Sequence, residues 1–164
     1  MNRKGFTLVE VLAVIIVIAL VFTLVAPSIS DVYENSKLKS EEIFVERLSS
    51  VIDSYVKLNS GDISFTSNGT ATKKEGESTY TVDIYKGIIT INNIINDKLL
   101  SKENYINAGN KEASCNINAE IEVYRDSDYV YCHKIKKESL DCLSDKYKKY
   151  INEEYVLNTC TWSK

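Results

Sequence analysis

Histidine is almost missing from this chain: His133 is the only one. Zinc sites draw on histidines or on closely paired cysteines, and none of the four cysteines, Cys115, Cys132, Cys142 and Cys160, stands in a CxxC pair. A nucleophile, a base and an orienting group do not occur at recognisable spacings, so no enzyme, cofactor or metal is expected. A strong excess of charge is lacking as well. The balance of 20 basic to 23 acidic side chains, −3 overall, is too mild to suggest the basic face of a nucleic-acid-binding protein. Proline occurs once, as Pro27, and that single occurrence calls for an explanation.

What the chain does have is a long apolar run. It extends from Phe6 to Ala26, broken only by Thr7, Glu10 and Thr23, ahead of a remainder rich in Lys, Asn, Ser and Tyr. About 20 apolar residues rising 1.5 Å each match the roughly 30 Å hydrocarbon core of a bilayer, which predicts a membrane stage. Arg3 and Lys4 stand directly before the run. Basic residues stay on the cytoplasmic side, so the C-terminal bulk is expected outside. A secretory signal peptide also starts with basic residues, but its apolar stretch is about 7 to 15 residues and ends in small residues. This run is longer and carries a carboxylate near its entrance.

Glu10 is the residue that needs a reason. A carboxylate at the centre of a membrane helix costs about 2.5 to 3.5 kcal/mol on insertion scales, and such groups tend to be functional and partnered. Near the cytoplasmic edge the cost is smaller, and an acid at a helix start also complements the N-terminal dipole. The surrounding segment, Lys4-Gly5-Phe6-Thr7-Leu8-Val9-Glu10-Val11-Leu12, resembles the class III processing signal of type IV pilins and pseudopilins. The resemblance implies that a membrane-embedded prepilin peptidase cuts between Gly5 and Phe6 and methylates the new amine of Phe6. Residues 1–5 would then be a leader, and Glu10 would pair with that amine, within one chain or between neighbours. Gly5, without a side chain, suits a bond that must lie extended in a protease cleft. Burying Glu10 unpaired in an apolar filament core would be costly, so the pair can set the register of an incoming subunit.

Pro27 removes one backbone donor and clashes with the preceding turn, which kinks a helix. Since apolar spacing resumes at once, a kink is expected in preference to an end. Beyond it, Phe44, Leu48, Val51, Ile52 and Tyr55 recur at spacings of three and four with charges between them, predicting an amphipathic helix to Leu58 that stops at Asn59-Ser60-Gly61. The whole helix would measure roughly 80 Å. The expected fold is α+β and type IV pilin-like. It comprises a filament-core helix over 6–29, an amphipathic helix over 30–59, and a small antiparallel β-rich head over 60–164.

Within the head, Asp62 to Ser67 reads as a strand and Asn68-Gly69 as a hairpin turn, in preference to the Asn68-Gly69-Thr70 glycosylation acceptor. Lys73 to Ser78 reads as a charged loop, Tyr80 to Tyr85 as a strand and Ile91 to Leu100 as a helix. Ala119 to Tyr124 and Tyr129 to Ile135 form a hairpin turning at Asp126-Ser127, and Leu140 to Tyr155 reads as a weak helix. An even number of cysteines in an exported segment favours two disulfides. That hairpin register sets Cys132 opposite Ile121 and leaves Cys115 roughly 20 Å away, beyond the ~7 Å Cα limit of a bridge. The other pairings stay open. Cys115 with Cys142 and Cys132 with Cys160 are favoured, since they close the hairpin base and tie down the C-terminus.

The eleven tyrosines read as half-buried strand residues in preference to an adhesive surface, and His133 reads as a surface residue. Lys134, Lys136, Lys137, Lys146, Lys148 and Lys149 form a basic stretch, read as a solvated face with DNA as a weak alternative partner. The resemblance implies as partners other pilin subunits, the peptidase/methyltransferase, a pilus assembly platform, and membrane lipid before assembly. It implies a place in the bacterial cytoplasmic membrane first and in an extracellular pilus afterwards, as a major or minor pilin. A pseudopilin of a type II secretion or DNA-uptake machine is the alternative within the family, and a permanently anchored single-pass surface protein the alternative outside it.

Overall fold

The structure, a computed structural model, describes residues 7–107, 115–151 and 154–162, with the backbone alone over 24–30 and at Tyr150. Helix α1 runs Leu8–Leu58. It ends where the Asn59 main-chain and side-chain N–H groups both donate to the Tyr55 carbonyl, which closes the last turn. The chain divides into two compact units, Met1–Ser40 and Glu41–Lys164.

The first unit contributes the apolar part of α1, whose side chains are exposed on every face from Leu8 to Phe22. The second contains the rest of α1 and an antiparallel meander. Its strands are β1 (Thr66–Glu75), β2 (Ser78–Thr90), β3 (Glu120–Asp126), β4 (Tyr131–Lys136) and β5 (Tyr155–Asn158), adjacent in sequence order. Short helices α2 (Ile91–Asn96) and α3 (Lys102–Asn107) follow β2, and α4 (Asp145–Tyr150) precedes β5. The α+β class, helix first and antiparallel sheet after, is thus the observed one.

Why α1 packs on the sheet is plain from its buried stripe. Glu41, Val45, Leu48, Ile52, Tyr55 and Val56 recur at helical spacing and are all buried, while Phe44 and Val51 flank them half-buried. Facing them is the inner side of the sheet, with Ile89 of β2, Ile121 and Val123 of β3, and Ile135 of β4 at 4% exposure or less. Each such side chain stabilises the fold by about 1.5 to 3 kcal/mol through burial. Gly87 belongs to the same side, and a Cβ there would lie 2.7 Å from Ile63 and 3.3 Å from Phe65. The outer side has a smaller cluster of Ala71, Val82, Ile84, Tyr124 and Cys132, against which Cys160 and Trp162 pack.

Several local expectations give way. Asn68-Gly69 is not a hairpin turn: it lies inside β1, where the register against β2 shifts between Ser67 and Thr70 and Gly69 takes φ +86°. A bulge and a turn both recruit Gly at positive φ, so the dipeptide alone does not separate them. The turn comes at Gly76-Glu77, between the paired Glu75 and Ser78, with Gly76 at φ +63°. Lys73 and Lys74 therefore belong to a strand. The β3–β4 hairpin pairs Tyr124 with Cys132, three positions from the expected register. Its loop is longer because the Asp126 carboxylate organises it, with Oδ1 accepting N–H bonds from Asp128 at 2.9 Å and Val130 at 2.8 Å. Helix α2 stops at Asn96, and the expected helix from Leu140 to Tyr155 is reduced to α4, with β5 beginning at its far end.

Candidate functional site

The entrance to α1 is built by two residues. Thr7 accepts the Glu10 N–H on its hydroxyl at 3.3 Å, while Glu10 Oε2 accepts the Thr7 N–H at 2.8 Å and the Thr7 hydroxyl at 2.9 Å. This is a capping box, in which two orphan donors of a helix start satisfy each other's partners. The Thr-x-x-Glu spacing carried that signal in the sequence. Both bonds from Thr7 fall on one oxygen, Oε2. Gly5 and Phe6 lie outside the described residues.

Beyond the cap the helix surface is apolar. Leu8 is 85% exposed, Val9 73% and Phe22 69%, and Val11, Leu12, Val14, Ile15, Ile16, Val17, Ile18, Leu20 and Val21 are all exposed. Among the described residues no helix is long and apolar enough to cross a membrane, and the run Phe6 to Ala26 lies only in part among residues with described side chains. Such a contiguous apolar surface is far larger than soluble monomers display, and it marks a contact surface for lipid or protein. Pro27 falls inside α1 rather than at its end.

The cysteines form two disulfides, Cys115–Cys142 and Cys132–Cys160, and no described cysteine is free. His133 is not a surface residue. It is 1% exposed, with Nε2 3.1 Å from the Ser49 hydroxyl and Nδ1 3.0 Å from Asp53 Oδ1, both on α1. A carboxylate only accepts, so Nδ1 carries the proton toward Asp53 and Nε2 accepts from Ser49. Thr159, beside β5, adds its hydroxyl, accepting the His133 N–H at 2.8 Å. Burial pushes the His133 imidazolium below its ordinary range, and the Asp53 charge opposes that only in part.

The connectivity Ser49, His133, Asp53 is that of a hydrolase triad, but its arrangement is turned inside out. Asp53 is the outermost member, with its side chain 47% exposed, while the base is sealed at 1%. Ser49 and Asp53 stand on α1 and His133 on β4, so the three residues join the helix to the sheet. Asp53 and Ser49 gave a helical spacing in the sequence, yet nothing linked them to His133 before folding brought β4 under α1.

The basic stretch does not form one open face. Lys134 Nζ lies 5.4 Å from the Tyr124 ring centre and 5.1 Å from that of Tyr155. Lys136 lies near Glu122 and Glu154, Lys137 donates to the Ile151 carbonyl, and Lys148 to the Asp141 carbonyl. Of the tyrosines, Tyr55, Tyr105, Tyr124 and Tyr147 are buried, and Tyr85, Tyr131 and Tyr155 are half-buried.

Comparison with family models matches residues 1–26 to the prokaryotic N-terminal methylation motif. Comparison with curated proteins and with solved structures finds no match. The matched residues contain the capped start of α1 and the apolar surface behind it, and α1 leads into the antiparallel sheet, a helix-then-sheet fold of pilin-like kind. The motif implies a structural protein, first anchored at the membrane and then associated with a pilus, that meets a prepilin peptidase and other pilin subunits. This chain carries the class III prepilin signal of the type IV pilins and pseudopilins.

Proposed function

We propose that the chain is a subunit, major or minor, of an extracellular type IV pilus. Residues 1–5 are removed by cleavage between Gly5 and Phe6, the Phe6 amine is methylated, and the subunit enters the filament through residues 6–29. The observation that carries this reading is the apolar surface of α1, exposed on every face from Leu8 to Phe22. In lipid that surface is solvated by acyl chains, and in a filament it is covered by the same surface of neighbouring subunits. Either removes it from water at about 25 cal/mol per Å².

Glu10 then acts as the register. Its carboxylate is already fixed by Thr7 through Oε2, and the new amine at Phe6 supplies the cation that a desolvated carboxylate requires. Pro27 supplies the place where the helix bends as the subunit leaves the bilayer.

Intact mass of the chain recovered from shed filaments tests the proposal. A mature chain beginning at N-methylphenylalanine 6 supports it. A chain retaining Met1 and residing singly in the membrane overturns it in favour of a permanent anchor. Recovery of the processed chain only in a cell-envelope secretion or DNA-uptake complex, with no surface filament lost on its deletion, would place it among the pseudopilins.

A further inference from the structure

On the outer side of the sheet, Lys73 of β1 reaches across β2 to the carboxylate of Asp126 at the end of β3. Both are withdrawn from water, the Lys73 side chain at 15% exposure and that of Asp126 at 0%. Lysine and aspartate are among the residues least often buried. The same side of the sheet holds the apolar cluster of Ala71, Val82, Ile84 and Tyr124. Trp162 packs on that cluster, its ring centre 5.7 Å from Lys73 Nζ.

The two oxygens of Asp126 are held differently. Oδ2 meets the Lys73 amine, whereas Oδ1 accepts two backbone N–H groups, from Asp128 at 2.9 Å and Val130 at 2.8 Å. The two fixed donors are placed to stabilise charge developing on Oδ1, and the amine stands beside the other oxygen of the same carboxyl group.

We propose that Lys73 and Asp126 join in an intramolecular isopeptide bond, a covalent tie from β1 to β3 across β2. Within the ion pair the ammonium passes one proton to Oδ2, which gives an amine beside a carboxylic acid. The amine lone pair attacks Cγ, and the carbonyl electrons move onto Oδ1, where the N–H groups of Asp128 and Val130 stabilise them. Collapse restores the C=O bond at Oδ1 and breaks Cγ–Oδ2, and the departing oxygen takes the second amine proton and leaves as water. One ammonium and one carboxylate thus become one amide and one water, with no oxidant, reductant or outside co-reactant. The hydrogen bond to Asp126 holds the Lys73 ammonium above its ordinary range, so the ionic pair is the resting state. The bond forms slowly and once per chain, which suffices for a structural part.

Peptide mapping of the whole purified chain tests this. After reduction of the disulfides and trypsin digestion, the segments containing Lys73 and Asp126 are expected as one branched peptide, lighter than their sum by one water and uncut after Lys73. Lys73→Arg should release them separately and remove the one-water deficit from the intact mass. Recovery of two separate, full-mass peptides from the wild-type chain overturns the proposal and leaves an ordinary ion pair. The comparison concerns internal peptides, so it reads the same whatever happens at Phe6.

Discussion

The Glu41 carboxylate holds both donors of Ser144: Oε1 accepts its N–H at 2.8 Å and Oε2 its hydroxyl at 2.7 Å. The same hydroxyl accepts the Tyr147 N–H at 3.2 Å, so Glu41 of α1 anchors the start of α4. Glu41 is only 4% exposed. Glu41→Ala would leave the half-buried N–H and hydroxyl of Ser144 without this acceptor, and the expected loss is about 1 to 3 kcal/mol of unfolding free energy. Glu41→Gln, which keeps one acceptor, should lose less. Urea midpoints of the two variants check the order.

His133 makes stability depend on mild acid. Its pKa in the folded state lies below the ordinary 6.5, so the unfolded chain binds the proton more readily. Stability is therefore complete above that ordinary value and falls as pH drops through the folded-state value. Between about pH 7 and pH 5, where carboxylates titrate little, the urea midpoint should decline. His133→Gln should flatten that decline while lowering the midpoint at neutral pH.

Thr7 and Glu10 separate capping from assembly. Losing the cap alone costs about 0.5 to 2 kcal/mol at the helix start, whereas an unpaired amine in an apolar core costs about 3 to 5 kcal/mol. Thr7→Ala should therefore be processed and yield filaments near the normal amount. Glu10→Ala should be processed too, with filament yield down by about tenfold or more. Equal yields from the two variants would reduce Glu10 to a helix cap.

The Cys132–Cys160 bond holds the C-terminal segment, including Trp162, against the outer side of the sheet. With both cysteines replaced by serine, the loss of a loop of this size, 28 residues apart, is about 3.6 kcal/mol on the chain-entropy account. Trp162 is the only tryptophan, so its fluorescence reports the release directly, as a red shift at denaturant concentrations that leave the wild type unchanged.

What the sequence revealed, and what it did not, follows from the range of the interactions involved. Helix α1 was legible because Leu48, Ile52 and Tyr55 repeat with the helical period, and the apolar run before them needs no partner to be seen. The Thr7-x-x-Glu10 cap is equally local, but in the sequence the Glu10 carboxylate reads at the helix start only as complementing the dipole. The alternation in β2 and β3 announced strands, but not how they pair. Register in the β3–β4 hairpin depends on the buried Asp126, whose partner Lys73 comes from a different hairpin, so the loop length was misjudged. His133 looked like a surface residue because its neighbours Cys132 and Lys134 gave no hint of Ser49 and Asp53. Chain segments distant in sequence supply its surroundings, and no spacing rule reaches across that distance.

A five-stranded meander leaves two rims open, and polymerisation would hold many such rims at concentrations no solution reaches. Here each is blunted: β5 offers only four residues. The rim of β1 is interrupted by the shift between Ser67 and Thr70 and ends in Lys73, Lys74 and Glu75. Irregular backbone and charge discourage one head from annealing onto the next as an added strand. In the proposed filament, neighbouring heads would therefore not extend one another's sheets, and packing order would rest on the apolar surface of α1.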